Sequence, residues 1–527
     1  MPRILRALLF ATLSCVVGCN PGFMDEMEME PELELETGRS ELVAAAGAQM
    51  APDLAFVGIA PLQIFHVAKT GNDANPGTAA APWATLTKAV RTLRPGHAAY
   101  VHAGTYSEHL DLAIGVDGTA SAPIRLMGAP GEEKPVLLGS RDNTMISASR
   151  AYWIFDGLDV NANKRRSAAV HVRSHHVAVR NSLLHNGQGP NGVGVSGGAR
   201  DVLISKNKIY DYLWYVSGAR KDSHGVDVMP NSERVLIQQN EVYNTTGDGV
   251  QCKGVAESGF GTMDPRDIII EDNRLHHTAE NAVDIKSCQR VTIRGGPANS
   301  SKFYGFRTVE DTGTNCGGSA IVLHYNARQI LIEKNRIWDA GMGITLGRTD
   351  ALAADIIIRK NLFFNLTTAK NGCGVAVRIN RSRNVDVTNN TFDNIPDAAI
   401  QVGKDTLAGL TSEYTTLRNN IIRNAGYALD VRGTGITSFS SDKNLFWRTD
   451  STSVPFRVNG AVTNLTYYRS VIRNDATSVQ KDPLFVADPS VNDYYLQLGS
   501  PGRDTAQNLG GTYCGVGPDM GFLETCT

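Results

Sequence analysis

Four short stretches between residues 222 and 324 carry acids, lysines and a histidine at matching positions. They read Asp222-Ser-His-Gly-Val-Asp-Val, Gly247-Asp-Gly-Val-Gln-Cys-Lys, Glu280-Asn-Ala-Val-Asp-Ile-Lys and Ala320-Ile-Val-Leu-His. Each alternates an apolar position with one predicted to be exposed, which is the pattern of a strand with one buried face. We therefore predict one strand repeated in four stacked copies, with its apolar residues inward at Val226, Val250, Val283 and Ile321.

The outward positions of these strands fall into two columns when the copies are aligned. The first column contains Asp227, Gln251, Asp284 and Val322, and the second contains Met229, Lys253, Lys286 and His324. Neighbouring strands lie about 4.8 Å apart, so Asp227 and Asp284, two strands apart, are too distant to share one ion easily. A calcium ion, which prefers several oxygen ligands, would instead join Asp227 with Asp248, or Asp248 with Glu280 and Asp284.

Lys253 and Lys286 are direct neighbours in the second column. Two stacked ammonium groups disfavour each other, so the pattern predicts that one of them loses its proton easily. Such a lysine is a competent general base. Additional candidates for binding an anionic ligand are His324, Arg307, Arg348 and Arg378. The same residues also suit a solvated face with ion pairs, and that interpretation stays open.

An asparagine repeat indicates the fold. The phrase apolar-x-apolar-x-x-Asn-x-apolar recurs at Asn181, Asn207, Asn240, Asn273, Asn335, Asn361, Asn390, Asn420 and Asn444, every 24–33 residues with one interval of 62. This period is too short for a helix-containing βαβ unit, and it suits one coil of a right-handed parallel β-helix. Asn tolerates left-handed backbone and can form hydrogen bonds along a stack, so we predict a structural role at a bend.

The chain divides into three segments. Residues 1–18 have the charge, apolar run and small-residue ending of a signal peptide, and Val16-Val-Gly-Cys19 resembles a bacterial lipobox, which implies a lipid on Cys19. Residues 19–62 are acidic and predicted to be a disordered tether, and residues 63–527 are the β-helix domain. We expect an exported monomer, anchored at the outer membrane or cell surface of a Gram-negative bacterium. Ordinary secretion, without the lipid, is the alternative.

Charge and cysteine content narrow the function classes. Beyond residue 41 the chain has 48 basic and 45 acidic residues, which permits an anionic ligand, and no basic patch interleaved with aromatics indicates nucleic acid. The cysteine spacings match no zinc site. An even number of cysteines in an exported chain allows disulfides, with Cys514 and Cys526 the preferred pair. Cys252 is predicted to point inward, where a buried thiol is at least as likely as a disulfide.

Both ends of the predicted β-helix resemble a known group. The stretch from Phe65 to Tyr106 reads as a strand, a loop, a cap helix near residues 84–94 and a second strand, as in the opening of many bacterial pectate-lyase-like β-helix proteins. Asp482-Pro-Leu-Phe and Asp519-Met-Gly resemble the closing segment of the same group. The resemblance covers roughly residues 63–523 and implies a single all-β domain.

Two motifs resemble polysaccharide lyases. Gly247-Asp-Gly-Val-Gln is similar to the calcium motif Asp-Asp-Gly-x-Asp of family 9 pectate lyases, with Gly247 and Gln251 replacing two acids. Glu280-Asn-Ala-Val-Asp-Ile-Lys-Ser resembles the Glu-x-Glu-Ile-Ile-x-x-Lys-Ser stretch of family 6 lyases, which act on alginate and dermatan. Both families place their base lysine at or near Lys286.

The resemblance implies a lyase that cleaves a uronic-acid polysaccharide by β-elimination, with Ca²⁺ as an optional cofactor and an acidic polysaccharide as partner. A glycoside hydrolase would show more clustered acids, and a mannuronan epimerase would show Asp-Pro-His-Asp. The competing prediction is a non-catalytic, surface-anchored β-helix that binds glycan or serves a structural or adhesive role. The replacement of two acids of the calcium motif by Gly247 and Gln251 favours that alternative, and the pair Lys253 and Lys286 favours the enzyme.

Overall fold

Three long parallel β-sheets wind around one apolar core in the computed structural model, which describes residues 49–296, 300–306, 318–347, 351–367, 373–404, 409–451, 453–486 and 494–526. Most coils of the chain contribute one strand to each sheet, and these strands pair in parallel with their copies in the next coil. Arg307 and Arg348 lie outside the described residues.

We call the sheets A, B and C. Sheet A has 14 strands: Gln63–Val67, His97–Val101, Ile124–Gly128, Trp153–Asp156, Val177–Arg180, Arg200–Ser205, Glu233–Gln238, Arg266–Glu271, Gln289–Arg294, Arg328–Glu333, Ala353–Arg359, Ser382–Thr388, Ser412–Arg418 and Ile436–Asp442. Sheet B contains Thr105–Tyr106, Val136–Leu138, Asp159–Arg165, Leu183–Gly187, Lys208–Tyr212, Glu241–Thr245, Arg274–His276, Ser301–Phe306, Asn335–Ala340, Leu362–Phe364, Leu445–Trp447 and Val479–Gln480.

Sheet C carries the predicted site. Its strands are Leu110–Asp111, Ile146–Ala148, Val170–Val172, Asn191–Val195, His224–Val228, Val250–Lys253, Val283–Lys286, Ser319–His324, Met342–Leu346, Val375–Ile379 and Phe456–Val458. The long strands Thr391–Val402 and Ile421–Val431 pass from sheet B into sheet C. Antiparallel pairs are formed by Trp214–Val216 with Ala219–Lys221, and by Phe456–Val458 with Ala461–Thr463.

The predicted cap helix is confirmed at Leu86–Thr92. It begins where the Thr85 side chain accepts a hydrogen bond from the backbone N–H of Lys88, the usual role of a helix N-cap. Its Leu86, Ala89 and Val90 are buried against the first coils, so it covers the open end of the core. The other helices are Ala55–Gly58, Leu112–Ile114, Val255–Ser258, Gly433–Gly435 and Leu465–Ile472. Within the described ranges no helix has the length and apolar character needed to cross a bilayer.

The inward residues of successive coils stack on one another. Val226 pairs with Val250, Val250 with Val283 and Val283 with Ile321, and all four are fully buried. The predicted strand, its register and its inward face are therefore confirmed. Burying such a side chain stabilises the fold by about 1.5–3 kcal/mol, and the repeat multiplies this gain along the core.

The asparagine column is a buried hydrogen-bonded ladder. The side-chain oxygen of one asparagine accepts from the backbone N–H of the asparagine one coil earlier, as Asn240 does from Asn207 at 3.0 Å. The same link is made by Asn273, Asn361, Asn390, Asn420 and Asn444, whereas the Oδ1 of Asn335 has no partner among the described residues. The left-handed residue is the one just before, for example Gln239 with φ 55°. Asn181 is such a preceding residue, and Ser182 takes the ladder position beside Asn207. The structural role is confirmed, but the assignment of Asn181 to the column was wrong.

Two features at the ends of the chain refine the predictions. Residues 49–62 pack along the outside of sheet A, with the Gln49 amide donating to the carbonyls of Ile268 and Arg290, and Phe56 packing against Ile154. The packed chain thus begins before residue 63.

Cys514 pairs with Cys526 as predicted. Cys252 is buried, but it forms a disulfide with Cys288, so the alternative of a buried thiol was wrong.

Candidate functional site

The outer face of sheet C brings the predicted residues together in the predicted order. Asp227, Gln251 and Asp284 are register partners on successive coils. Lys253 is the register partner of Lys286, and Lys286 is the register partner of His324. Because strand neighbours lie about 4.8 Å apart, the two lysines and the histidine form one continuous column.

Asp248 is part of a polar ladder at the corner of sheet C. Its Oδ1 accepts the backbone N–H and the side-chain amide of Asn281, at 3.0 and 2.8 Å, and its Oδ2 accepts the side-chain amide of Gln251 at 3.1 Å. The ladder continues from Asn281 Oδ1 to the backbone N–H of Ser319. Asp248 is 0 % exposed. Its oxygens are thus occupied by the fold, and the arrangement does not suit the predicted role as a metal ligand.

His224 completes this ladder and is charge-coupled to Asp248. Its Nδ1 lies 3.2 Å from Asp248 Oδ2 and 3.0 Å from the backbone N–H of Asp248. Burial lowers the pKa of His224, but the hydrogen bond and charge of Asp248 outweigh it and raise that pKa overall. For Asp248, burial raises the pKa, but the contacts with His224 outweigh it and lower that pKa overall. Each group of the pair therefore favours the charged form of the other.

Asp284 contacts two members of this column, Lys286 and His324. Its Oδ2 lies 3.1 Å from Lys286 Nζ, and its Oδ1 lies 2.6 Å from His324 Nε2. Burial lowers the pKa of Lys286, but the carboxylates of Asp284 and Asp248 outweigh it and raise that pKa well above the ordinary lysine value. Lys286 is therefore not the lysine of the pair that loses its proton easily, because the carboxylates of Asp284 and Asp248 favour its charged form.

Lys253 has a looser carboxylate partner than Lys286 has. Its Nζ lies 3.8 Å from Asp227 Oδ2, against the 3.1 Å contact at Lys286. Asp227 is buried, and its Oδ1 has no hydrogen-bond partner among the described residues. The side chains of Lys253 and Lys286 are 26 % and 22 % exposed, so both ammonium groups reach the outer surface.

Glu280 lies at the edge of the same cluster. Its carboxylate is 3.6 Å from the guanidinium of Arg220, which the hairpin of residues 214–221 brings over the sheet. Burial and the charges of Asp248 and Asp222 raise the pKa of Glu280 to about 8. Arg220 was not predicted, because the hairpin that carries it is inserted between two coils and lies outside the four similar stretches.

The predicted calcium ligands do not assemble into a metal site. Among the described residues, no three His, Cys, Asp or Glu side chains are placed to hold one ion. Asp248 is saturated, Asp284 is shared between Lys286 and His324, and Asp227 lies opposite Lys253. The donor set present in these residues therefore does not fit Ca²⁺, which requires several free oxygen ligands.

Arg378 lies on the same face but apart from the lysine pair. It is on the strand Val375–Ile379, three coils beyond Lys286, which is about 14 Å at the strand spacing. Its Nε donates to Gln401 Oε1 at 2.8 Å. Arg378 and Lys286 therefore do not form one site around a single sugar.

Comparison with known proteins supports the fold. Residues 65–213 match a family model described as Pel9A-like, right-handed β-helix region, and residues 309–409 match one described as right-handed β-helix region. No curated protein matches the sequence.

Solved structures similar to this one include three carbohydrate-active enzymes. Pectate lyase Pel9A is 16 % identical, with 90 % of this chain and 98 % of that chain covered and a TM-score of 0.44. The PL6 family alginate lyase AlyGC is 17 % identical, with 72 % and 54 % covered and a TM-score of 0.48. The GH136 lacto-N-biosidase from Eubacterium ramulus is 14 % identical, with 73 % and 68 % covered and a TM-score of 0.45.

The two family models describe a right-handed β-helix, and the long parallel sheets agree with that architecture. The chain folds as a right-handed parallel β-helix.

Proposed function

We propose that this protein binds an acidic polysaccharide on the outer face of sheet C and cleaves it by β-elimination. The observation that carries the proposal is the pair Lys253 and Lys286, which are register neighbours with unequal carboxylate partners. One lysine is firmly held as a cation, and its neighbour is held loosely. Elimination from a uronate needs both a cation and a base.

Lys286 supplies the cation in this proposal. Asp284 at 3.1 Å and the nearby Asp248 raise the pKa of Lys286, so its ammonium persists through the neutral range. Contact between this ammonium and the uronate carboxylate neutralises that charge, which acidifies the hydrogen on C5. His324 donates to the other oxygen of Asp284 and so fixes the carboxylate that orients Lys286.

Lys253 supplies the base. The amine lone pair takes the C5 proton, and the electrons of that C–H bond form the C4–C5 double bond. The C4–O bond breaks, and the departing oxygen takes a proton from water. The products are an unsaturated uronate end and a new reducing end.

The experiment is a screen of pectate, alginate and glycosaminoglycans for the ultraviolet absorbance of an unsaturated uronate. The proposal expects that signal with at least one polymer and its loss in Lys286→Ala. A variant on the opposite sheet, Arg383→Gln, is the matched control, because Arg383 pairs with Glu413 on sheet A. Absence of unsaturated product across all the polymers, with and without added calcium, would contradict the proposal.

A second function is a non-catalytic glycan-binding protein, anchored at the cell surface. The observation that favours it is the saturated, fully buried Asp248, which stands where the family 9 calcium motif has an acid. This alternative expects binding of an acidic polysaccharide without any change in the length of the polymer. Size-exclusion chromatography of the polymer after incubation with the protein separates the two functions.

A further inference from the structure

Both strands that carry the lysine pair end at their lysine. Lys253 is the last residue of the strand Val250–Lys253, and Lys286 is the last residue of the strand Val283–Lys286. After Lys253 the chain leaves sheet C through the short helix Val255–Ser258. The ends of strands open more readily than their centres, because the next residues lie outside the hydrogen-bonded ladder. The spacing of the two lysines therefore depends on the contacts that hold these two ends together.

Two links join the strand ends on the inner side and along the backbone. Cys252, which directly precedes Lys253, forms a disulfide with Cys288, and both cysteines are fully buried. Cys288 follows Lys286 by two residues. The backbone N–H of Gly254 donates to the carbonyl of Lys286 at 2.8 Å. The two coils are thus joined both directly before and directly after Lys253.

A side-chain hydrogen bond holds the outer side of the same two ends. The hydroxyl of the buried Ser287 donates to Glu257 Oε1 at 2.8 Å. The helix that carries Glu257 is fixed in turn, because its Val255 N–H donates to Asp264 Oδ1 at 2.8 Å. Gly254 permits this close approach, since a β-carbon there would lie 2.6 Å from both Ser287 Cβ and Asp264 Oδ1. We call three links the end clamp: the disulfide Cys252–Cys288, the hydrogen bond from Gly254 to Lys286 and the hydrogen bond from Ser287 to Glu257.

The position of Lys253 depends on the end clamp more than the position of Lys286 does. Asp284 holds the Lys286 ammonium at 3.1 Å from within the same strand. Asp227 lies 3.8 Å from the Lys253 ammonium and belongs to the preceding coil. Lys253 therefore relies on its backbone for its position. A displacement of about 1 Å between reacting groups can cost about a hundredfold in rate.

We propose that the end clamp positions Lys253, the base, at a fixed distance from Lys286, the cation, during elimination. The inference rests on the proposed function for the roles of the two lysines. It predicts that loosening the end clamp lowers kcat, because removal of the C5 proton needs Lys253 in place. It also predicts an unchanged KM, because Lys286 still contacts the uronate carboxylate. The side chains of the end clamp that act in this way are positioning residues: Cys252, Cys288, Ser287 and Glu257.

The first test compares two disulfide variants of the full-length protein in the assay for unsaturated uronate. Cys252→Ala combined with Cys288→Ala is expected to lower kcat on the order of tenfold at unchanged KM. The matched control is Cys514→Ala combined with Cys526→Ala, which removes a disulfide of the C-terminal segment and is expected to leave kcat unchanged. Both variants are assayed well below their melting temperatures, and circular dichroism checks that each is folded.

The second test replaces the acceptor of the outer hydrogen bond. Glu257→Gln keeps a side-chain oxygen that can accept from Ser287, so it is expected to retain the wild-type kcat. Glu257→Ala removes that acceptor and is expected to lower kcat roughly threefold, less than the disulfide variant because the other two links remain. Recovery of kcat by the conservative variant separates positioning from a general loss of stability.

Hydrogen exchange gives a readout that does not require activity. The peptides containing Lys253 and Lys286 should exchange faster in the Cys252→Ala, Cys288→Ala variant than in the control disulfide variant. Equal kcat in the two disulfide variants, or equal kcat in Glu257→Gln and Glu257→Ala, would overturn the inference. Absence of product from the wild-type protein would contradict the lyase instead. In that case faster exchange at the two strand ends would still support the end clamp, and unchanged exchange would overturn it.

Discussion

Replacing Asn240 by alanine tests the ladder that spaces the coils beneath the site. The Asn240 side chain accepts from the backbone N–H of Asn207 at 3.0 Å and from the Asn207 amide at 3.1 Å, and it donates to the carbonyl of Ile204 at 2.9 Å. The Asn207 amide keeps a second acceptor in the carbonyl of Val179. The substitution therefore removes one partner each from the buried Asn207 N–H and the Ile204 carbonyl.

An unsatisfied buried polar group costs about 1–3 kcal/mol, so the loss of partners for two such groups in Asn240→Ala is expected to destabilise the protein by about 2–6 kcal/mol. Asn181→Gly is the control, since Asn181 is exposed, lies outside the ladder and has positive φ, which glycine adopts without strain. Urea denaturation followed by circular dichroism gives the midpoint of unfolding, and hydrogen exchange of the peptide containing Asn207 reports the local effect. Equal midpoints for the two variants, with unchanged exchange at Asn207, would refute the reasoning.

Three further predictions concern the disulfide, the acid and the metal. Replacing both Cys252 and Cys288 by alanine should lower stability by about 2–4 kcal/mol, and peptide mapping without reductant should find the two linked in the wild type; free thiols there would contradict the structure. The pKa of Glu280 is about 8 when folded and about 4.3 in an unfolded chain, so folding retains a proton between these values. Its contribution to stability is present below the lower value and is lost as pH rises through the higher. Glu280→Gln should flatten that decline in thermal melts, and an unchanged pH slope would count against the raised pKa. Chelation with EDTA should leave the melting temperature and any lyase activity unchanged, because no three acid, histidine or cysteine side chains of the described residues are placed to hold one ion; a clear drop in either would show that a metal site exists.

The fold and the strand register were predictable because each coil repeats the same local pattern. Alternation fixed the inward faces at Val226 and Val250, and the asparagine repeat fixed the coil length. The pairing of Lys253 with Lys286 followed from those two facts alone. Asn181 was misassigned because it lies one residue before the ladder position, a shift that the motif does not reveal.

The charge state of the site was harder to predict. Strand register predicts that Lys286 lies beside Lys253, but it does not predict side-chain direction. The side chain of Lys286 turns back towards Asp284 on its own strand. Asp248 was predicted to be a calcium ligand, yet the corner of the coil buries it and surrounds it with polar groups of Gln251, Asn281 and His224.

The most direct test of the lysine roles is a comparison of Lys253→Arg with Lys286→Arg, measured as the rate of unsaturated uronate formation. Arginine keeps the positive charge but does not give up its proton in proteins, so it can replace a cation and cannot replace a base. The proposed roles predict that Lys286→Arg retains measurable activity and that Lys253→Arg loses it. The reverse result, an active Lys253→Arg and an inactive Lys286→Arg, would contradict the assignment of base and cation.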